Sequence, residues 1–172
     1  VTVATAAPLG EESTGDLMDV LLAEAVVPSR LLKRLAENLP MDFCVEEAWE
    51  VPLRAASLMA SVTGFDYRLY TALPVDDVRK RIADLMAQPE IVLDRTVKSR
   101  GTATGRKAIV LDLKPLIHTL DAAESDEPGT AVIHFSTRIQ GERLAKTREI
   151  MTLLCLDPAH TRVVRTDTRI GE

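Results

Sequence analysis

Residues 97–117 read VKSRGTATGRKAIVLDLKPLI, a basic loop rich in Gly and Thr that leads directly into an apolar run. Residues 91–97 before the loop and 108–113 after it are both strand-like, which predicts a long hairpin with the loop at its tip. Lys114 and Pro115 end the second strand, because proline donates no hydrogen bond and restricts the residue before it. We take this hairpin as the element around which the chain is organised.

The hairpin is positively charged, whereas the chain as a whole is negatively charged. Residues 95–114 carry six cations against the single anion Asp112, a net +5 within a chain whose total is −5. Positive charge on a protruding loop suits phosphates or an acidic protein surface. Basic hairpin loops are also frequently plain solvated turns, and the sequence leaves both interpretations open. The candidate ligand-binding or RNA-binding residues of the loop are Lys98, Arg100, Arg106 and Lys107.

A second, weaker basic feature lies in the predicted last strand, residues 162–168. By strand alternation Arg165 and Arg169 share a face with Val163, whereas Arg162 lies on the opposite face. Arg165 and Arg169 therefore join the candidate ligand-binding set. Charges that protect an edge strand from aggregation explain the same pattern, so this alternative stays open.

Strand and helix signals alternate from residue 65 to the end. Residues 65–71, FDYRLYT, alternate as a half-buried strand, and a helix follows Pro74 with Asp76 and Asp77 in its first turn and an inward stripe ending at Met86. After the hairpin we predict a short helical turn at 116–120, a strand at 130–136, a helix at 142–156 and a strand at 162–168. This order predicts an α+β sandwich with a mainly antiparallel sheet.

The first part of the chain is predicted to form a similar but incomplete unit. Residues 1–6 and 16–22 are strand-like, Ser29 is a plausible N-cap for a helix that Pro40 ends, and residues 43–51 read as a strand. A strand and a helix before Val1 would complete a ferredoxin-like unit. The predicted fold is therefore two tandem ferredoxin-like α/β sandwiches, of which the first lacks its initial strand and helix.

The predicted domain division follows from this reading. Residues 1–52 form the partial first unit, residues 53–64 form an ordered connector bounded by Pro and Gly, and residues 65–172 form the second unit with its long basic hairpin.

Composition narrows the classes of function. Hydrophobic residues make up 46% of the 172 residues but aromatic residues only 3%, which weakens a nucleic-acid site built on stacking platforms. Cys44 and Cys155 lie in apolar sequence surroundings, where we expect buried, reduced thiols. The sequence has no secretory signal and no apolar run long enough to span a membrane, so we predict a cytoplasmic protein.

The residues that carry catalysis or metal binding do not cluster in the sequence. His118, His134 and His160 occur singly, with no second His and no Cys three or four residues away, so we predict no metal and no cofactor. Asp16 and Asp19 are three residues apart in a strand-like run, which places them on opposite faces, and we predict no catalytic pair. The loop GTATG at 101–105 lacks the helix that follows a phosphate-binding loop.

Four stretches, taken in their order and spacing, resemble a known family. They are VTVATAAPLGEESTGDLMDVLL, EVPLRAASLMASV, VLDLKPLI and LDPAHTRVVRTDTRI, and together they cover essentially the whole chain. The chain resembles the radical SAM-linked domain family, a bacterial domain of unknown function. Members of that family carry a Gly-Phe-x-Pro-His-Pro segment and an upstream strand and helix before the position of Val1. Where they usually read Glu-Tyr-x-Asp, this chain reads Asp16-Leu17-Met18-Asp19.

The resemblance implies an accessory role beside radical chemistry or RNA maturation. Members lie next to, or are fused to, B12-binding radical SAM proteins and often neighbour an E/G-type ribonuclease. No cluster-binding cysteines occur here, so the radical chemistry would belong to the partner. We expect a non-catalytic recognition module that presents the basic hairpin to RNA or to an acidic partner or substrate. The alternatives are an RNA-modifying enzyme that uses Asp16 or Asp19 between the two units, and a purely structural protein-interaction domain.

Overall fold

The computed structural model describes residues 1–98, 106–127 and 129–171, and for residues 97, 98, 106 and 107 it describes the main chain alone. The strands are β1 (Thr2–Val3), β2 (Glu12–Ser13), β3 (Met18–Asp19), β4 (Val62–Thr71), β5 (Val92–Lys98), β6 (Arg106–Asp112), β7 (Ile117–Glu124), β8 (Ala131–Arg138) and β9 (Thr161–Ile170). The helices are α1 (Pro28–Asn38), α2 (Leu58–Ser61), α3 (Val75–Met86) and α4 (Thr147–Leu153), with 3₁₀ turns at Lys114–Leu116 and Pro158–His160.

A five-stranded sheet in the order β2-β9-β4-β8-β7 forms the centre of the molecule. Strands β4, β7, β8 and β9 pair antiparallel, and the short β2 adds to the edge of β9 in parallel. Tyr67 of β4 lies opposite Phe135 on one side and Arg165 on the other, which fixes the register. The predicted α+β class with a mainly antiparallel sheet is confirmed.

One face of this sheet carries the core. Phe65, Tyr67 and Leu69 of β4 are buried while Arg68 between them is exposed, the period of two expected of a half-buried strand. Helices α3 and α4 contribute to the same core cluster, through Val78, Ile82 and Leu85 and through Ile150 and Met151. Each such side chain stabilises the fold by roughly 1.5–3 kcal/mol relative to exposure.

Helix α3 matches its sequence prediction. It begins directly after Pro74, carries Asp76 and Asp77 in its first turn, and buries Val78, Ile82 and Leu85 of the predicted stripe, whose fourth member Met86 is half-buried. The helix predicted at 142–156 is present as the shorter α4, and an isolated bridge between Gln140 and Arg143 precedes it. The helical turn predicted at 116–120 is wrong, because a 3₁₀ turn ends at Leu116 and residues 117–124 form strand β7.

Strands β4, β7, β8 and β9 with α3 and α4 follow the split connectivity β-α-β-β-α-β, with β5 and β6 inserted after α3. Strands β5 and β6 pair only with each other among the described residues. The predicted long hairpin is therefore confirmed as a two-stranded ribbon outside the five-stranded sheet.

A tandem pair of ferredoxin-like units is not confirmed. Residues 1–61 contain three strands of two residues each and the helices α1 and α2, and the strand predicted at 43–51 is wrong because no residue there is in a strand. The helix predicted to end at Pro40 is present, but Ser29 does not cap it, since the helix begins at Pro28 and has Val27 as its N-cap. The first unit and the division at 53–64 stay predictions. No helix of the described residues has the length and apolarity that crossing a membrane requires.

Candidate functional site: the basic hairpin

The β5–β6 pairing brings three of the four predicted loop cations to one end of the ribbon. Lys98 lies opposite Arg106, and Lys107 is next to Arg106 and opposite Val97. Arg100 and the loop 101–105 lie outside the described residues, as do the side chains of Lys98, Arg106 and Lys107. The main-chain register alone thus concentrates these predicted cations at the loop end of the hairpin, opposite to the end at which Val92 pairs with Asp112.

Two other cations of the +5 segment hold the hairpin in place, one from the middle of β5 and one from the residues after β6. Arg95 donates from Nε to Glu149 Oε1 at 2.9 Å and from Nη2 to Glu149 Oε2 at 2.7 Å and to the Leu144 carbonyl at 2.8 Å. This forked geometry is the strong form of an arginine–carboxylate pair, and both side chains are 12% exposed. Lys114 donates through Nζ to the carbonyl of Gln88. These two charges are engaged within the protein itself.

Asp112, the single anion of the segment, has a structural role as well. Asp112 Oδ1 accepts hydrogen bonds from the main-chain N–H groups of Ile91 at 2.9 Å and Lys114 at 3.0 Å. The Leu113 N–H donates to the Ile91 carbonyl at 2.8 Å. Asp112 therefore closes the ribbon at its base, about the length of the two strands away from Lys98 and Arg106.

Arg165, a candidate from the last strand, is a buried cation. The residue is 1% exposed, and its Nη1 donates to the Thr5 carbonyl at 2.6 Å and to Asp16 Oδ1 at 2.8 Å. Its guanidinium carbon lies 4.6 Å from the centre of the Phe65 ring, within range of a cation–π contact. Burial raises the pKa of the neighbouring Tyr67 hydroxyl, although the Arg165 charge acts in the opposite direction. Arg165 ties the N-terminal segment to the sheet.

Arg169 and Arg162 are also engaged with neighbouring groups. Arg169 donates from Nη2 to the Thr137 carbonyl at 2.6 Å, and its Nε lies 3.2 Å from Asp66 Oδ1. Arg162 donates to both carboxylate oxygens of Glu12, at 2.8 and 2.7 Å, and this hydrogen bonding holds the pKa of Glu12 below its usual value. Binding of an external ligand by Arg165 and Arg169 stays a prediction, and each would have to leave an internal partner to do so.

A second constellation escaped the sequence analysis. Cys155, Asp157 and His160 line an open cavity of about 180 Å³ together with Thr71, Ala72 and Leu73. Asp157 accepts a hydrogen bond from the Ala159 N–H, and its carboxylate lies 2.8 Å from His160 Nδ1. The contact with the imidazole and, second to it, the hydrogen bond from Ala159 hold the pKa of Asp157 below its usual value. The spacing Cys-x-Asp-x-x-His was visible in the sequence. The cysteine prediction is wrong in one respect, since Cys44 and Cys155 are free but exposed.

The geometry of this constellation is that of a helix end. Cys155 has φ of 51°, and the N–H of Leu156 donates to the carbonyl of Met151 at 2.8 Å, the bond that ends many helices on a left-handed residue. No group of three or more His, Cys, Asp or Glu within the described ranges could hold a metal ion. The basic hairpin therefore remains the leading candidate site.

Comparison with known proteins identifies a family but no function. The family model described as "Uncharacterized protein conserved in bacteria (DUF2344)" matches residues 1–150, so the chain belongs to this family. No curated protein and no solved structure matches the chain.

Proposed function

We propose that this member of the DUF2344 family is a non-catalytic recognition module that presents the end of its basic hairpin to RNA. The observation that carries the proposal is the register of β5 and β6, which pairs Lys98 with Arg106 at the far end of a ribbon that stands outside the main sheet. With Arg100 and Lys107, four cations fall within ten residues of sequence.

Two of the six cations of the segment are bonded within the protein, and this supports the proposal. Arg95 and Lys114 are bonded to groups of the protein itself, so they hold the ribbon in place, and the proposal assigns contact with RNA to Lys98, Arg100, Arg106 and Lys107. The rest of the chain is acidic, with a total of −5 that already includes the hairpin. An acidic body repels phosphates, which confines contact with RNA to the hairpin.

The partner protein is proposed from the family resemblance. The two cysteines of the chain are far too few to hold an iron–sulfur cluster, so a B12-binding radical SAM protein would supply any radical chemistry beside this module. A neighbouring ribonuclease of the E/G type is the proposed link to RNA. The tandem ferredoxin-like arrangement is also part of the proposal, and it rests on the order of the predicted strands and helices.

The experiment compares two variants that change the net charge equally. In the hairpin variant Lys98, Arg100, Arg106 and Lys107 become Ala, and in the control Arg54, Arg68, Lys80 and Arg148, which are exposed elsewhere in the chain, become Ala. Fluorescence anisotropy with a labelled single-stranded RNA should show that the hairpin variant binds at least about tenfold more weakly than wild type. The control variant should bind within about twofold of wild type.

Two results would reject the RNA proposal. Equal losses in both variants would mean that total charge, not the hairpin, governs binding. Unchanged RNA affinity in the hairpin variant, together with lost co-purification of a radical SAM partner, would assign the hairpin to an acidic protein surface instead.

A further inference from the structure

A second basic segment lies at the start of helix α4. Residues 143–148 read RLAKTR, with three cations and no anion between Glu142 and Glu149. This segment carries a net +3 and residues 95–114 carry a net +5, so the rest of the chain carries −13. The hairpin is therefore not alone in its positive charge.

Arg95 joins the two basic segments. From the middle of β5 its guanidinium donates to the Leu144 carbonyl at 2.8 Å and to both carboxylate oxygens of Glu149. Glu149 Oε2 also accepts from the main-chain N–H of Lys146 at 2.9 Å. One arginine side chain therefore separates the middle of β5 from the main chain of residues 144–146.

The loop end of the hairpin is close to this junction. Lys98 follows Arg95 by three residues, which at about 3.4 Å per residue places its main chain about 10 Å further along the ribbon. Arg106 and Lys107 pair with Lys98 and Val97, about one strand spacing of 4.8 Å to the side. The main chain of Lys98, Arg106 and Lys107 is thus within roughly 11 Å of that of Arg95.

Arg143 and Lys146 are the cations beside the groups that Arg95 contacts. Both residues are exposed, and no ion pair joins either side chain to a carboxylate of the described residues. By helical position Lys146 lies about 60° from Glu149, whereas Arg148 lies about 100° from it in the opposite sense. Glu149 faces the hairpin, so Lys146 borders the junction and Arg148 points away from it.

From these contacts we propose that the RNA strand bound at the loop end of the hairpin continues past Arg95 to Arg143 and Lys146. This inference rests on the proposed function, because the hairpin holds the first part of the strand. The ion pair of Arg95 with Glu149 supports it, since a free carboxylate at this point would repel phosphates. The path from Lys98 across Arg95 to Lys146 is roughly 20 Å, about six nucleotides at 3.4 Å per phosphate of a stacked strand. The ligand is therefore single-stranded RNA of at least about this length.

The spread of the cations over this path favours RNA over an acidic protein. A strand presents a phosphate about every 3.4 Å, so one strand meets cations at both ends of the path. On a folded protein surface both signs of charge are interspersed, and an acidic partner would need carboxylates placed to match each of the two segments.

The test measures fluorescence anisotropy of labelled oligoadenylates of about 12 and about 4 nucleotides with the full chain. Arg143→Ala with Lys146→Ala should bind the longer RNA about fivefold more weakly than wild type, because two phosphate contacts are lost. Its slope of log association constant against log salt should be shallower by about 1.4, in addition to the share of the four hairpin cations. The shorter RNA does not reach from the hairpin to Lys146, so wild type and variant should bind it equally.

A matched control removes the same charge elsewhere. Lys80→Ala with Arg148→Ala takes one cation from α3 and one from the side of α4 that faces away from the hairpin, and should leave the binding of both RNAs within about twofold of wild type. Because Arg143 and Lys146 are exposed, their double variant should keep the Tm of wild type. Arg143→Glu with Lys146→Glu should weaken binding of the longer RNA further than the alanine variant does.

The outcomes separate this inference from the proposed function. If the hairpin variant loses RNA binding but Arg143→Ala with Lys146→Ala binds the longer RNA as wild type does, the inference is overturned and the proposed function stands. Equal losses for the longer and the shorter RNA would overturn it too. If the hairpin variant keeps full RNA affinity, the proposed function itself fails. Unchanged RNA affinity with lost co-purification of a protein would assign Arg143 and Lys146 to an acidic protein partner instead.

Discussion

Arg165 shows why the face of a strand matters more than the presence of a cation. Alternation in the sequence places this residue on the same face as Val163, and that face is the core side of the sheet. A buried guanidinium needs internal acceptors, which Asp16 and the Thr5 carbonyl provide. The acceptors come from about 150 residues earlier in the chain, so the sequence alone did not reveal them.

Replacing Arg165 by Ala should therefore lower the stability of the whole fold. The change removes the contact with Phe65 and leaves the Thr5 carbonyl and the Asp16 carboxylate without their donor. Because Asp16 is 40% exposed, we expect a loss of roughly 2–4 kcal/mol in the free energy of unfolding, less than for a fully buried pair. Urea unfolding measures this, with Arg162→Ala as the control that stays near wild type because its pair with Glu12 is exposed.

The buried hydroxyl of Tyr67 should lower the free energy of unfolding at alkaline pH. Burial raises the pKa of its hydroxyl above the ordinary value of 10.0, so the folded state holds the proton more tightly than the unfolded state. The sign follows from linkage: this contribution is complete below pH 10.0 and is lost as the pH rises through the folded pKa. The free energy of unfolding should fall less steeply above pH 10.0 in Tyr67→Phe than in wild type. Parallel slopes would contradict the prediction.

At the scale of elements, strong local signals were predictable and tertiary ones were not. Helix α3 is signalled locally by the proline before it and by the two carboxylates in its first turn. The β5–β6 hairpin is signalled by the strand-like runs on either side of its loop. Strand β7 escaped prediction because half of its sequence IHTLDAAE is polar and only Ile117 and Thr119 are β-branched, and it is a strand as the edge partner of β8. Residues 43–51 have strand-forming residues but no strand to pair with among the described residues.

The ion pair between β5 and α4 should control how firmly the hairpin is held. Arg95→Ala leaves Glu149 with the N–H of Lys146 as its remaining donor, at 2.9 Å, in a site that is 12% exposed. We expect a loss of roughly 2–4 kcal/mol in the free energy of unfolding and faster amide hydrogen exchange across the hairpin. Mass spectrometry of residues 92–98 and 106–112 measures the exchange. Arg79→Ala, in an exposed pair with Asp76, is the control and should leave exchange in the hairpin unaltered.

At the scale of the whole molecule, the positive charge of the hairpin could be predicted from the sequence. Which of its cations are bonded within the protein could not. In the +5 segment, Arg95 and Lys114 are bonded within the protein, whereas the main chain of Lys98, Arg106 and Lys107 lies at the loop end of the ribbon, and only the register and the side-chain contacts separate the two groups. The parallel pairing of β2 with β9 joins the two ends of the chain, and no local pattern predicts it. No local pattern predicts that residues 5–61 contain no buried residue either. Their apolar composition alone would predict that they form a core.

The most direct test of the account is the salt dependence of RNA binding by wild type and by the hairpin variant in which Lys98, Arg100, Arg106 and Lys107 are Ala. If the four cations contact phosphates of a single strand, the logarithm of the association constant should fall against the logarithm of the salt concentration with a slope near about −3, and the variant should lose most of that slope. A variant that keeps the wild-type slope would contradict the proposal that the hairpin is where this protein binds RNA.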